Sequence, residues 1–304
     1  FAASLAGIIG LVELIGVGPA LGNVGAIPFS KSVTFVLGLL PIFILIGFLA
    51  FQAGMTKQLF EAAKAWVGFV PGGLAVATVF ATAGFAAVSG ASTATAAVFS
   101  RVAIPEMLKE GYDKKLAAGV VAAGGTLASL IPPSAILVIY AIIVEESVGA
   151  LLLAGFLPGI FSALVYAGII IIWAKMNPSL APASRRYSLK EKVKSLPGVL
   201  PIAIVISVII SAIYAGWATP TEAGALGAFV VLIIALYKGI KIESLRFALI
   251  ETAKLVAMIF SIIWGVLIFV RFLGFSGLPE TFANWIISLQ FDPYMILLMI
   301  LMGY

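Results

Sequence analysis

The sequence predicts an all-α polytopic membrane protein, and three observations support this class. Of its 304 residues, 62% are hydrophobic and only 10% are charged. The mean hydropathy of +1.20 lies far outside the range of soluble globular domains. Uncharged stretches recur along the chain, and about 20 mostly apolar residues suffice for a helical membrane span. These stretches are 1–12, 14–30, 32–56, 65–100, 116–144, 147–174, 195–221 and 255–270.

The composition also excludes several kinds of chemistry. The sequence contains no Cys and no His, so disulfides, thiolate sites and the usual proton shuttle are ruled out. An intramembrane enzyme would be left with Ser–Lys chemistry, and no Lys lies near the only Ser-rich cluster in sequence. We therefore predict that the protein is not an enzyme. Both ends, Phe1 and Tyr304, lie in apolar segments, which predicts a piece of a longer chain.

The distribution of charge predicts the orientation of the chain. Between Lys175 and Lys194, six basic residues accompany a single acidic one, Glu191. By the positive-inside tendency this linker is cytoplasmic. A patch for lipid headgroups or nucleic acid is the alternative, but short basic loops are ordinary in such proteins and no nucleic-acid partner is predicted. Working outward from the linker, 149–174 runs from outside to inside, 199–217 returns, and 221–237 crosses again.

A re-entrant hairpin is predicted between Leu74 and Leu108. One straight helix over this segment would be roughly 50 Å long, against a hydrocarbon core of about 30 Å. Two full spans would need a polar turn outside the bilayer, and the only polar cluster lies near the midpoint. The predicted arms are Ala75–Val88, entered through Pro71-Gly72-Gly73, and Ala96–Met107. The tip, 89–95, holds Ser89, Gly90, Ser92, Thr93 and Thr95.

A broken helix is predicted directly downstream, over about 116–145. Gly124-Gly125 and then Pro132-Pro133 interrupt an otherwise spanning run, and Pro cannot continue the helical hydrogen-bond ladder. Ser134 follows the Pro pair and is therefore expected to start the second half-helix. Plain alternatives exist for both interruptions: small residues for close helix packing at the hairpin, and a simple kink at the prolines.

Together the two interruptions point to ion-coupled transport. Broken backbone inside a membrane is tolerated where it is buried in protein or lines a wet cavity, and secondary transporters use such breaks to bind ions and substrates. A proton-coupled site usually needs an intramembrane Asp, Glu or His, and 65–100 and 116–144 contain none. Hydroxyls and freed carbonyls can instead bind Na⁺, the predicted coupling ion.

Several motifs resemble the large membrane subunit of tripartite ATP-independent periplasmic (TRAP) transporters. They are PGGLAVATVFATAGFAAVSGASTATAA, IPEMLKEGY, AAGVVAAGGTLASLIPPS, AGFLPGI and TPTEAGALGA, which are spaced along nearly the whole chain. The resemblance implies an elevator-type, sodium-driven importer of carboxylate-bearing solutes in the bacterial inner membrane. It also implies two partners, a small membrane subunit and a periplasmic solute-binding protein.

The resemblance places the family's first hairpin tip and first broken-helix site on named residues of this chain. The predicted sodium ligands are Ser89, Gly90, Ser92, Thr93, Gly125, Thr126 and Pro132. The predicted substrate-binding residues are Ser92, Thr95, Pro133 and Ser134. The roles of Glu13, Arg101, Arg271 and the Thr219–Glu222 motif stay unassigned, although snorkelling to the cytoplasmic surface is the favoured interpretation of Arg101.

The predicted organisation is a scaffold, half of a transport domain and the start of an inverted repeat. The predicted boundaries are 1–55 for scaffold helices, 56–174 for the transport-domain half, 175–198 for the basic linker, 199–274 for further spans, and 275–304 for the second repeat. A second hairpin and a second sodium site are expected beyond these residues. Two other functions stay open: a membrane scaffold that does not transport, and another sodium-coupled elevator carrier.

The orientation can be tested by cysteine labelling in this Cys-free background. We expect Glu146→Cys to react with a membrane-impermeant maleimide added from outside, and Arg186→Cys to react only after permeabilisation. Labelling of position 186 but not of position 146 in intact cells would overturn the orientation, and with it the side from which the hairpin enters.

Overall fold

The computed structural model describes residues 2–32, 38–144, 146–182 and 186–303. Within these ranges all regular secondary structure is helical, as predicted. The α-helices are α1 (Ala2–Ile15), α2 (Val17–Ser32), α3 (Leu39–Gln52), α4 (Met55–Val67), α5 (Gly73–Ser89), α6 (Ser92–Lys109), α7 (Lys114–Thr126), α8 (Ala135–Ile143), α9 (Val148–Met176), α10 (Leu189–Ser195), α11 (Leu200–Tyr214), α12 (Pro220–Tyr237), α13 (Ile242–Ser276), α14 (Leu278–Ser288) and α15 (Pro293–Gly303). Short 3₁₀ turns follow α7 and α10 at Leu127–Ser129 and Leu196–Gly198.

The chain divides into two compact units. The larger is Phe35–Val256, and the smaller combines Phe1–Thr34 with Ala257–Tyr304. The smaller unit has its own apolar core, in which Leu11 and Ile27 are buried. The larger unit contains both segments for which the sequence predicts interrupted helices. The functional division into scaffold and transport domain is a separate matter and stays a prediction.

Helix α5 is the centre of the larger unit. Fourteen of its 17 residues are buried, so neighbouring helices cover it on nearly every side. Its small side chains allow this close packing, as expected for helices that associate in lipid. The buried hydroxyls of Thr78 and Thr82 donate to the carbonyls of Leu74 and Thr78, at 2.8 and 2.9 Å, and so cost little to bury. At these two threonines, the packing alternative accounts for the polar residues.

Several helices meet the length and hydropathy required of a membrane span. By these criteria α9, α12 and α13 can each cross a bilayer, and two bent pairs can add one span each. The pairs are α3 with α4, bent by 71°, and Leu189–Gly198 with α11, bent by 50°. The bounds of α9, α11 and α12 agree with the predicted spans 149–174, 199–217 and 221–237.

The Thr219–Glu222 motif is a helix cap. Thr219 precedes α12, its hydroxyl accepts from the backbone N–H of Glu222 at 3.4 Å, and the Glu222 carboxylate accepts from the Thr219 N–H at 2.8 Å. Pro220 occupies the first helical position, where its missing N–H costs nothing. This reciprocal capping box gives the motif a structural role at the start of a membrane-spanning helix.

A nearly buried cation ties α4 to the end of α6. The Lys64 ammonium lies 3.1 Å from a Glu106 oxygen and 3.6 Å from a Glu110 oxygen, and Lys64 is only 7% exposed. The two carboxylates are one helical turn apart, so both face α4. This ion-pair cluster fixes the end of α6 that lies farthest from Gly90.

One predicted boundary is wrong. The sequence predicts a tip over 89–95, whereas the chain turns within Gly90 and Ala91 and α6 begins at Ser92. Gly90 adopts a left-handed conformation (φ 59°, ψ 1°) that ends α5, and extended Ala91 then allows a new helix to start at once. The tip is therefore tighter than its polar composition indicates, and Thr93 and Thr95 lie on the first turn of a helix.

Candidate functional site

Helices α5 and α6 form an antiparallel helical hairpin. The two arms contact each other at pairs of residues placed symmetrically about the turn. Nearest the turn, the Ser89 and Thr95 hydroxyls lie 2.7 Å apart. One turn further along each arm, the centres of the Phe85 and Phe99 rings lie 5.7 Å apart in an edge-to-face arrangement. At the base, the backbone N–H of Leu74 donates to the Tyr112 hydroxyl at 3.2 Å. The hairpin is thus closed along its whole length.

The segment after α7 is a true interruption of the helix. The 3₁₀ turn Leu127–Ser129 ends α7, non-helical backbone passes through Pro132 and Pro133, and α8 begins at Ala135. Ser134 caps α8, as predicted: its hydroxyl accepts from the Leu137 N–H at 3.4 Å and donates to the Ser129 carbonyl at 2.9 Å. One fully buried hydroxyl therefore joins both sides of the break.

The hairpin tip docks directly onto this break. The backbone N–H of Ala135, at the start of α8, donates to the Gly90 carbonyl at 2.9 Å. On the other side of Gly90, a Cβ atom would lie 2.5 Å from the Pro133 carbonyl oxygen, so only glycine allows this approach. The two predicted interruptions are thus joined backbone to backbone.

A second contact fixes the hairpin against α7. A Cβ atom on Gly125 would lie 2.9 Å from the Ala96 Cβ and 3.3 Å from the Ser92 carbonyl oxygen. The first turn of α6 therefore rests on the last turn of α7. The Gly90 and Gly125 contacts bring together two helix C-terminal ends, of α5 and α7, and two N-terminal ends, of α6 and α8.

This meeting of helix ends has a defined electrostatic character. Helix C-termini carry partial negative charge and unpaired carbonyls, which suit a cation, and N-termini carry partial positive charge and free N–H groups, which suit an anion. The contributing residues are apolar, hydroxyl-bearing or glycine, and no cluster of three acidic, His or Cys side chains occurs within the described ranges. A cation bound at this junction would therefore be held by neutral oxygens.

The predicted hydroxyls are not equivalent in the structure. Ser89 and Thr95 are fully buried and bonded to each other, so they hold the two arms together at the tip. Ser92 is half-buried and Thr93 is exposed at the start of α6. Ser92 and Thr93 are thus more accessible than Ser89 and Thr95.

Thr126 points away from the hairpin. Its hydroxyl donates to the Ala123 carbonyl at 2.6 Å and pairs with the Tyr166 hydroxyl of α9 at 3.2 Å. With the hydroxyl engaged in this way, a contribution of Thr126 to a cation site would have to come from its backbone carbonyl. The carbonyl of Gly90 already accepts one hydrogen bond but keeps a second lone pair.

Sequence analysis missed two supports of the tip. On α3, the Phe43 ring lies under Gly90, where a Cβ would be 3.3 Å from Cδ2, and Gly47 faces the Ser89 side chain, where a Cβ would be 2.9 Å from Ser89 Cβ. It also missed the Ala135 N–H as the donor to the tip. The Pro pair provides a signal for the donor, because Ser134 and Ala135 carry the first N–H groups after it, whereas no spacing in the sequence links α3 to the hairpin.

Arg101 lies on the side of the hairpin away from the tip. Its guanidinium carbon is 5.8 Å from the centre of the Phe247 ring on α13, in a cation–π contact. The same side chain lines a small polar cleft of about 240 Å³ with Lys57, Glu106 and Lys109. Arg101 therefore lies in a polar cleft and not at the junction of helix ends; its snorkelling to the cytoplasmic surface stays a prediction.

Comparison with known proteins identifies close similarity to one transporter family. Residues 23–304 match the family described as tripartite ATP-independent periplasmic transporter, DctM component. The chain is 36% identical to the C4-dicarboxylate TRAP transporter large permease of Pseudomonas aeruginosa, over 90% of this chain and 64% of that protein. It is 32% identical to the sialic acid TRAP transporter large permease of Vibrio cholerae, over 88% and 62% respectively.

A third relative differs in its arrangement. The isethionate TRAP transporter permease DctMQ of Oleidesulfovibrio alaskensis is 30% identical over 97% of this chain, but this match covers only 47% of the relative. The chain thus spans less than two thirds of the length of each of these relatives.

The docking of tip and break can be tested with matched glycine substitutions. Gly90→Ala and Gly111→Ala both place a side chain at positive φ, 59° and 82°, which costs about 1–2 kcal/mol each. Only the Gly90 substitution also collides with a carbonyl, because the nearest atom to a Cβ at Gly111 is 3.7 Å away. We expect Gly90→Ala to lose a further 1–3 kcal/mol, roughly.

The measurement is the thermal unfolding midpoint of each full-length variant in detergent. A clearly lower midpoint for Gly90→Ala than for Gly111→Ala is expected. Equal midpoints would mean that the close approach of Gly90 to Pro133 does not stabilise the protein.

Proposed function

Since the chain belongs to the DctM component family of tripartite ATP-independent periplasmic transporters, we propose that it is the large membrane subunit of a sodium-driven importer of organic anions. The proposed substrates are carboxylates such as C4-dicarboxylates or sialic acid, by analogy with the relatives named for them. The proposed location is the bacterial inner membrane, which the chain crosses several times.

The observation that carries this proposal is the hydrogen bond from Ala135 N–H to the Gly90 carbonyl. It joins two interrupted helices at one point, where both polarities of helix end are available. Secondary transporters place substrate and coupling-ion sites at such interruptions near the membrane midplane. A junction used only for packing would not require two breaks in neighbouring segments to meet.

Sodium is the proposed coupling ion, held by oxygens of the tip and the break. The proposed ligands are drawn from Ser89, Gly90, Ser92, Thr93, Gly125, Thr126 and Pro132. Within this set, Ser92 and Thr93 provide hydroxyls, whereas Gly125, Thr126 and Pro132 contribute carbonyls near the end of α7. Ser89 contributes chiefly by its bond to Thr95, which keeps the tip rigid.

The carboxylate substrate is proposed to bind on the N-terminal side of the same junction. Ser92 begins α6 and Ser134 caps α8, so N–H groups of both helix starts are near. An anion is favoured there by the helix dipoles. Pro133 and Thr95, which are both buried beside the tip, are proposed to complete this anion site.

In the proposed mechanism, Na⁺ binding strengthens the attachment of the tip to the break and thereby preorganises the anion site. The coupled unit then moves across the membrane as part of an elevator-type transport domain, against a scaffold that includes the early helices. The matching second half of an inverted repeat, with its own hairpin and sodium site, is proposed to lie in sequence beyond this chain.

Two protein partners are proposed. The family description is tripartite, which fits a large membrane subunit that works with a small membrane subunit and a periplasmic solute-binding protein. The small subunit would widen the scaffold against which the transport domain moves, and the binding protein would deliver the anion. The specificity of the binding protein would then contribute to the choice of substrate.

The function is tested by uptake into vesicles that contain the full-length permease, its small subunit and the cognate binding protein. A panel of C4-dicarboxylates, sialic acid and keto acids is offered under an imposed sodium gradient or an imposed pH gradient. We expect one of these anions to accumulate under the sodium gradient alone. Accumulation driven by protons without sodium would contradict sodium coupling, and no uptake of any anion by an intact complex would favour the scaffold function.

The proposed ligands are tested by removing one hydroxyl at a time. Ser92→Ala and Thr93→Val should each raise the sodium concentration for half-maximal uptake about tenfold, if a hydroxyl ligand to a cation is worth roughly 1.5 kcal/mol. Ser100→Ala is the matched control, because Ser100 lies on the same helix and its hydroxyl donates to the Ala97 carbonyl at 2.8 Å. A sodium dependence unchanged in both tip variants would exclude these hydroxyls as ligands.

A further inference from the structure

The basic linker contains a short helix with an unusual outer face. In α10, Leu189 and Val193 are 74% and 55% exposed, and Leu196, in the turn that follows, is 46% exposed. Their spacing of four and three residues places the three apolar side chains on one face. A water-exposed apolar stripe on such a small helix is unfavourable, so it calls for a nonaqueous environment.

Lysines border this apolar stripe. Lys190 and Lys194 are exposed next to it. The acidic residue of the helix, Glu191, is engaged in the capping box with Ser188, at 2.7 Å from the Ser188 N–H. The outer face of α10 is therefore apolar along its middle and positively charged along its edge.

The inner face of α10 is held on α4. The indole N–H of Trp66 donates to the Lys192 carbonyl at 3.2 Å, and the Lys192 ammonium lies 4.9 Å from the centre of the Phe69 ring. A Cβ on Gly198 would lie 3.1 Å from Gln58 Cβ, so the following turn also rests on α4. These contacts fix which face of α10 points outward.

The next helix determines where this face lies. The segment Leu189–Gly198 meets α11 at 50°, and together they pass the criteria for a membrane span. All charged residues of this pair lie in its first segment, and α11 contains none, so α10 forms the charged end of the apolar run, where a membrane surface is expected. With its apolar stripe and lysine border, α10 has the pattern of an interfacial amphipathic helix.

We propose that the outer face of α10 binds anionic phospholipids of the adjacent leaflet. Leu189, Val193 and Leu196 enter the boundary between headgroups and acyl chains, while Lys190 and Lys194 extend to lipid phosphates. A nucleic acid would leave the apolar stripe uncovered, and a protein partner would need acidic groups to match the lysines. Anionic lipid satisfies both parts of the surface at once.

Lipid bound to α10 would be connected to the hairpin through two side-chain contacts. Helix α10 is attached to α4 through Trp66, and α4 is attached to the end of α6 through Lys64 and Glu106. The lipid site itself depends only on the outer face of α10 and is independent of the proposed transport function. It is therefore measured by lipid contact, not by uptake.

The first experiment locates the apolar stripe. The full-length permease carries one cysteine, Val193→Cys, labelled with an environment-sensitive fluorophore, in nanodiscs that contain lipids with a spin-label quencher on the acyl chain. Ser179→Cys, in the exposed turn after α9, is the control. We expect strong quenching at 193 and weak quenching at 179. Equally weak quenching at both sites would overturn the proposal. Quenching at 193 that is lost when the small subunit is present would also overturn it, because the small subunit would then cover this face.

The second experiment tests the requirement for anionic headgroups. Phosphatidylglycerol or phosphatidylcholine is titrated into detergent-solubilised protein labelled at Val193→Cys. Two lysines at about 1 kcal/mol each predict that Lys190→Ala with Lys194→Ala weakens the apparent affinity for phosphatidylglycerol roughly 30-fold. The control is Lys114→Ala with Lys241→Ala, which removes the same charge at the exposed starts of two other helices. This double variant should change the affinity for phosphatidylglycerol little. The proposal would be overturned if both lipids bound with the same apparent affinity, or if both double variants weakened the affinity for phosphatidylglycerol equally.

Discussion

The structure of the larger unit depends on one constraint: backbone polar groups freed by breaks in buried helices must find partners within the protein. The chain interrupts two neighbouring helices, and each interruption supplies what the other needs. Pro132 and Pro133 end the helical ladder, so Ala135 offers an N–H without a helical acceptor, and Gly90 offers a carbonyl at the end of α5. Their hydrogen bond joins the hairpin to the broken helix. Ser134 closes the remaining gap by bonding on both sides of the break.

Close approach of backbones makes this bond possible, and glycine makes the approach possible. Gly90 faces the Pro133 carbonyl, Gly125 faces the start of α6, and Gly47 faces Ser89. At each position a methyl group would collide with the neighbouring segment. Hydrophobic burial contributes little between helices in lipid, so close van der Waals packing and internal hydrogen bonds must stabilise the arrangement. The hydroxyls of the tip differ in the same respect. Those of Ser89 and Thr95 bond to each other and hold the two arms together, whereas those of Ser92 and Thr93 stay accessible at the start of α6.

The sequence was sufficient to predict the elements but not their mutual contacts. Apolar length and Pro-Pro predicted the all-helical class, the hairpin and the break, because these signals are local. The prediction that Gly124-Gly125 also interrupt the helix is wrong, because both glycines lie inside α7, where they allow close packing. The cap at Ser134 followed from the same local rule. Thr126, in contrast, turns toward Tyr166 of α9, and Ser89 selects Thr95 as its partner. Such choices depend on how helices distant in sequence pack, and neither spacing nor composition records them. The tight turn at Gly90 was missed because a polar cluster indicates an irregular segment, whereas Ser and Thr also begin helices well.

The cluster at Lys64 has a consequence for the order in which the protein assembles. Glu106 and Glu110 lie near the carboxyl end of α6, where negative charge opposes the helix dipole. Lys109, in the same last turn, lies 3.9 Å from a Glu106 oxygen and offsets part of this charge. The other cation, Lys64, contacts both carboxylates and belongs to α4, which is synthesised before either arm. The contacts of Lys64 with Glu106 and Glu110 can therefore form only after the second arm has returned to the side from which the first arm started.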